Sequence, residues 1–244
     1  VSEKKIYSRN PISEALIDVQ LDQLLTVSSA DLRAFGDLLD GKYPDAKERQ
    51  MVQTTFQLES GKPVQSQAIS IEGFEFWNSD KTEVIQARKN GFSFSRLKPY
   101  QTWEQHCPSA LKYFGKYREK FGAQNATRLA VRFINLIRIP ETKIELRDYF
   151  NAGPEIPPAL PQDLESFLYR VVTQYDANTK AVITIAPGSQ APNSAIEIML
   201  DIDVFCNTQV PISDGFDKIF EKLHIYAENI FEAYITDKTR EVIK

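Results

Sequence analysis

Three carboxylates, Glu197, Asp201 and Asp203, share one face of the alternating run Ala195–Cys206. Carboxylates two residues apart on a strand point the same way, and such a pair can hold a divalent cation through its oxygens. On that reading the chain is a metal-dependent enzyme. The trio also fits the solvent side of a strand lying beside a basic one, and the run Thr127–Ile139 supplies such a neighbour. Its even positions carry Arg128, Arg132 and Arg138. Guanidinium forks match carboxylates and phosphates. Arg128, Arg132, Asn135 and Arg138, with Arg96 from an upstream strand, are therefore the candidate binding residues for an anionic group or a partner. The competing reading is a cross-strand charge ladder, in which each pair contributes roughly 0.2–1 kcal/mol.

Other chemistry is thin. His106 and His224 fall on helices at the edge of the apolar stripe and read as surface or boundary residues. His106 and Cys107 diverge by about 100° on a helix, so they form no nucleophile–base pair. No glycine loop is spaced to cradle phosphate, and no cysteine–histidine spacing suits zinc. We assign no catalytic residue, no metal ligand and no cofactor.

The elements that position these residues follow from periodicity. In Thr127–Ile139, Leu129, Val131, Phe133, Asn135, Ile137 and Ile139 fall on one face, which marks a half-buried strand with the arginines outward. Glu14–Asp22 alternates in the same way, with Ala15, Ile17, Val19 and Leu21 inward. A helix should start at Thr102, with a Thr102/Gln105 capping box, and bury Trp103, Cys107, Ala110, Leu111, Phe114, Tyr117 and Phe121. Pro108 should kink or restart it, and Gly122 should stop it. An earlier helix is capped by Ser28 or Ser29 and carries Leu32, Phe35, Leu38, Leu39 and Tyr43. Further strands are expected over Arg49–Glu59, Ala68–Trp77, Thr82–Arg88, Phe92–Leu97, Glu165–Asp176 and Ala181–Ala186. Asn90-Gly91 signals a hairpin. A last helix from Ser213 or Asp214 presents Phe216, Phe220, Leu223, Ala227, Ile230 and Phe231, and the tail Lys238–Lys244 should fray.

The order of elements repeats: strand, helix, three or four strands, long helix. It predicts an α+β fold of two β-α-β(3-4)-α units, 1–125 and 126–244, sharing a core. Their curved antiparallel sheet would be covered on one side by the long helices and joined through Glu14–Asp22 and Thr127–Ile139. This plan resembles tandem TATA-binding-protein-like or helix-grip units.

The 244 residues are 42% hydrophobic and 25% charged, with a net charge of −4. That balance disfavours non-specific nucleic-acid binding, which draws on excess Lys and Arg. No apolar run reaches membrane-spanning length, so a cytoplasmic protein with no membrane contact is expected. The two cysteines, Cys107 and Cys206, sit on apolar faces and read as buried thiols.

The segments Phe94–Trp103 (FSRLKPYQTW), Arg128–Pro140 (RLAVRFINLIRIP) and Pro11–Ala15 resemble a family of sporadically distributed, uncharacterised prokaryotic proteins of about this length. That resemblance implies accessory genes such as defence or toxin-neutralising loci, and no catalytic residues. Together these readings lead to a non-enzymatic binding or regulatory protein that docks a protein partner on the sheet or its rim. The alternatives are a nucleotide- or nucleic-acid-binding module using the arginine face, and the metal-dependent enzyme.

Overall fold

A computed structural model describes residues 7–21, 27–59, 62–123, 125–188, 195–211 and 215–244, excepting the side chains of 52–59, 62–69 and 208–211. Among these residues, nine strands form one antiparallel sheet in the order β2-β3-β4-β5-β1-β6-β9-β8-β7. The strands are β1 (Ile12–Leu21), β2 (Asp45–Glu59), β3 (Lys62–Trp77), β4 (Glu83–Arg88), β5 (Gly91–Leu97), β6 (Asn125–Ile139), β7 (Tyr169–Gln174), β8 (Thr179–Pro187) and β9 (Ile196–Pro211). The helices are α1 (Ser29–Arg33), α2 (Trp103–Phe121), α3 (Leu146–Tyr149), α4 (Phe216–Tyr234) and α5 (Asp237–Ile243).

The expected central junction is present. β1 pairs with β6, placing Ile17 opposite Val131 and Val19 opposite Leu129, and its other edge pairs with β5. α2 lies on β5 and β1, α4 on β6 and β9, and α1 on β3. The core sits between these helices and one face of the sheet. Ile17, Val19, Val131, Phe133, Ile198, Leu200 and Leu223 are all buried there, while Phe231 is only partly buried. Period-two alternation determines this face, since a strand can bury one side only by turning the other away.

Several local expectations are corrected. Thr102 caps α2 without a side-chain hydrogen bond, so the capping box does not form. The helix runs through Pro108 without a break. Pro108 lies in its second turn, where only the carbonyl four residues back loses a donor. Gly122 ends α2 at φ 68, in the left-handed region that glycine enters without strain. The first helix shortens to five residues and passes into a 3₁₀ turn over Ala34–Leu38, leaving Leu38 exposed. Ser28 does form a reciprocal box with Asp31. The strand expected over Glu165–Asp176 narrows to six residues.

The tail does not fray. Residues 237–243 form α5, capped by Thr236, with Thr239 and Ile243 buried. Thr239 donates to the backbone of Tyr149. The sequence face Val52, Thr54, Phe56 and Leu58, the caps Ser213 and Asp214, and most of the loop Pro187–Asn193 lie outside the described residues. No described helix is long and apolar enough to cross a membrane.

Candidate functional site

The face of the sheet away from the helices carries the arginines. β6 presents Arg128, Arg132 and Arg138 there, and β9 runs antiparallel beside it with Glu197, Asp201 and Asp203. Arg128 is bidentate to Asp203 through Nη2, at 2.8 and 3.0 Å. Arg132 grips Asp201 with Nε and Nη2, at 2.8 and 2.6 Å, and Arg138 Nε donates to Glu197 at 2.8 Å. β1 extends the row inward. Asp18 sits between Arg128 and Arg88, accepting from both. Positive and negative groups therefore alternate across four strands, β4, β1, β6 and β9.

In two of the three pairs the carboxylate is the more deeply held partner; in the third, Arg128 is slightly less exposed than Asp203. The Glu197 side chain is 1% exposed against 61% for Arg138, and Asp201 is 13% against 41% for Arg132. Burial raises the Asp203 carboxyl above the ordinary carboxylate range, opposed by Arg128 and Arg132. Arg132 is held charged chiefly by its hydrogen bond to Asp201. Arg128 also lies 4.4 Å over the Phe205 ring. The acidic trio is thus consumed by the arginines, and no described group of acidic, histidine or cysteine side chains is placed to hold a metal ion. The candidate cation pair is corrected to one side of a charge ladder.

The remaining two candidates lie elsewhere. Asn135 is on the helix side, buried, and donates Nδ2 to the Leu200 carbonyl at 3.0 Å. Arg96, also on the helix side, faces Ala15 of β1 and Glu83 of β4. Its Nε and Nη2 reach Glu83 Oε1 at 2.8 and 2.7 Å. The structure brings Arg128, Arg132 and Arg138 onto one face and separates them from Asn135 and Arg96.

Arg96 belongs to a second cluster, where β5 leads into α2 through a cis Lys98–Pro99 peptide. Tyr100, Trp103 and His106 close around it. The His106 ring lies 5.3 Å from Phe94, 5.9 Å from Tyr100 and 6.0 Å from Trp103. Trp103 stacks flat on His224 at 4.2 Å and donates Nε1 to Glu221 at 2.6 Å, tying α2 to α4. Both histidines are buried, which corrects their expected boundary placement. Burial, with Arg96 and His224 nearby, pushes the His106 pKa down to about 3, so the ring is neutral. Burial also lifts the Cys107 thiol to about 12, which leaves it protonated and unreactive.

Sequence reading missed His106 because it followed Cys107, Leu111 and Phe114. The stripe Trp103, His106, Ala110, Tyr113 and Tyr117 has equally good helical spacing, and all five residues are buried.

A third feature is β7, which among the described residues pairs with β8 alone and leaves its other edge unpaired. Tyr175 donates to the Thr179 carbonyl at 2.9 Å, so Thr173, Val171 and Tyr169 continue the hydrogen-bonded pairs with β8. The N–H and C=O groups of Arg170, Val172 and Gln174 then point away from the sheet. Val172 itself and Leu168, the residue before β7, are exposed, by 60% and 70%. The opposite edge, β2, opens with Asp45, Lys47, Glu48 and Arg49 and shifts register after Arg49. Charges and bulges of that kind discourage edge pairing. Compared with known proteins, the chain matches no family model and no curated protein.

Proposed function

We propose that this is a non-enzymatic binding protein that docks a protein partner by strand addition along β7. The carrying observation is the edge itself: three residues with outward backbone groups, one charge in six positions, and the exposed apolar side chains of Leu168 and Val172. Main-chain hydrogen bonds would supply affinity, and alternate apolar side chains of the incoming strand would supply specificity. The arginine face supports a nucleic-acid reading less well. Each of its arginines already holds a carboxylate within 3.0 Å, so few counterions are left to release.

The resemblance to a patchily distributed prokaryotic family names the first partner to try, the product of the adjacent gene. The test is amide hydrogen exchange with and without that partner, beside binding to Val172→Lys. Strand addition protects the amides of Arg170, Val172 and Gln174, and the lysine abolishes binding without changing the melt. A partner that binds while those amides exchange freely, or that binds Val172→Lys equally well, overturns the proposal. Protection that rises with protein concentration alone would assign the edge to a second copy of the chain and also overturn it.

A further inference from the structure

Where β1 begins and β5 and β6 end, the molecule carries a concavity of about 560 Å³. Its walls come from four stretches far apart in sequence: residues 8–11, residues 98–100, β6 near its end and the last turn of α5. Backbone hydrogen bonds fasten these stretches in place. Lys98 N donates to the Ser13 carbonyl at 2.9 Å, Leu136 N to the Pro11 carbonyl at 2.9 Å and Arg9 N to the Ile243 carbonyl at 3.0 Å. The hollow is therefore built into the fold, as small-molecule pockets usually are, and its size falls in their ordinary range of roughly 300–1,000 Å³. Pro11, Pro99, Tyr100, Leu136 and Val242 give it apolar surface.

Apart from the tyrosine, every ionisable side chain in this lining is a cation: Arg9, Lys98 and Arg138. The chain as a whole carries a net charge of −4, yet no carboxylate side chain among the described residues lines the concavity. Much of that positive charge is unmatched. The Lys98 ammonium holds no carboxylate among the described residues. Arg138 spends Nε on Glu197, whose side chain is 1% exposed, and keeps both Nη groups. Arg9 turns to the end of α5, where its Nη1 reaches the Val242 carbonyl at 3.5 Å. With the Ile243 bond, that contact engages helix-terminal carbonyls that would otherwise repel an anion. We propose that this concavity binds a small organic anion, a carboxylate or phosphate monoester carried on a compact apolar body. Lys98 supplies a point charge, and the Nη pair of Arg138 a fork that matches two oxygens. Ammonium and guanidinium donate and never accept, so they require the charged end of the guest to be negative. The apolar walls take its body. No residue of β7 lines the concavity, so the site is independent of strand addition.

The test is isothermal titration of the full chain, at fixed ionic strength, with benzoate, phenyl phosphate, inorganic phosphate and benzylamine. Benzoate or phenyl phosphate binds saturably, inorganic phosphate more weakly and benzylamine not at all. Lys98→Gln, an exposed change that orphans no carboxylate, leaves the melt as it was and weakens Kd roughly 3- to 10-fold. Lys222→Gln removes the same charge from α4, outside the concavity, and leaves Kd unchanged. Binding of benzoate alone identifies a carboxylate, binding of phenyl phosphate alone a phosphate monoester, and binding of both an anion read by charge; each supports the site. Four results overturn it: saturable binding by neither, benzylamine bound as well as benzoate, inorganic phosphate bound as tightly as phenyl phosphate, or a Kd that Lys98→Gln does not move.

Discussion

At the scale of single residues, His106 has the most to say about conditions. Its folded pKa near 3 lies below the ordinary 6.5, so the unfolded chain binds a proton over that interval and the folded chain does not. Stability from this group is therefore complete above pH 6.5 and drains away as pH falls toward 3, by an amount on the order of a few kcal/mol. His106→Phe keeps a ring against Phe94 and Tyr100 and removes the titration. We expect its melting temperature, in a low-halide buffer, to fall less steeply from pH 6.5 to 4 than that of the parent; parallel slopes would remove His106 as the source. The arginines were legible one by one in the sequence, because alternation alone sends Arg128 and Arg132 outward. Their partners followed once β9 was set beside β6. Asp18 was also expected on that face, from the alternation of the first strand; Arg88 was not legible as a member of the ladder, because its contact with Asp18 depends on which strands lie between β4 and β6, and order within a sheet leaves no local trace.

At the scale of elements, β7 makes a sharp contrast between neighbouring positions. Val172 turns its N–H away from β8, so proline there removes no ladder bond and should cost no more than about 1 kcal/mol. Val171 donates into the ladder, and Val171→Pro should cost roughly 3 kcal/mol. Urea melts of the two variants check the assignment; equal losses would mean that the hydrogen-bonding phase is reversed. Elements were legible where a buried face imposed a period, as in β1, β6, β9, α2 and α4. They were less so at ends. α5 reads as a polar tail because only Thr239 and Ile243 of its seven residues are buried. Its helix is held by the Thr236 cap and by contacts to α3, which no local pattern encodes. Glu165–Tyr169 alternates like a strand, yet β7 starts only at Tyr169, opposite Ile185, although β8 continues to Pro187.

At the scale of the whole molecule, the sequence predicted that β1 and β6 meet, and the strand order pairs them within one nine-stranded antiparallel sheet. The covering helices also follow from their stripes. β1 is thus a central strand placed near the start of the chain. Ile17 finds one neighbour in Phe94 and the other in Val131, both far away along the sequence. Contacts so distant fold slowly, since the intervening chain must be ordered before they form. During synthesis β1 can acquire β5 first, and its other edge then stays open until β6 emerges. A chain halted at Gly122 would carry the first five strands with that apolar edge bare, and we expect it to be recovered as aggregate, while the 244-residue chain, in which β6 closes that edge and α4 covers β6 and β9, is soluble. Sedimentation of the two products measures this, and a soluble monomeric 1–122 would refute it. The strand at the middle of the sheet is therefore also a timer: it is made before the other eight described strands and is among the last to be enclosed, so its second edge stays open until residues 125–139 have left the ribosome.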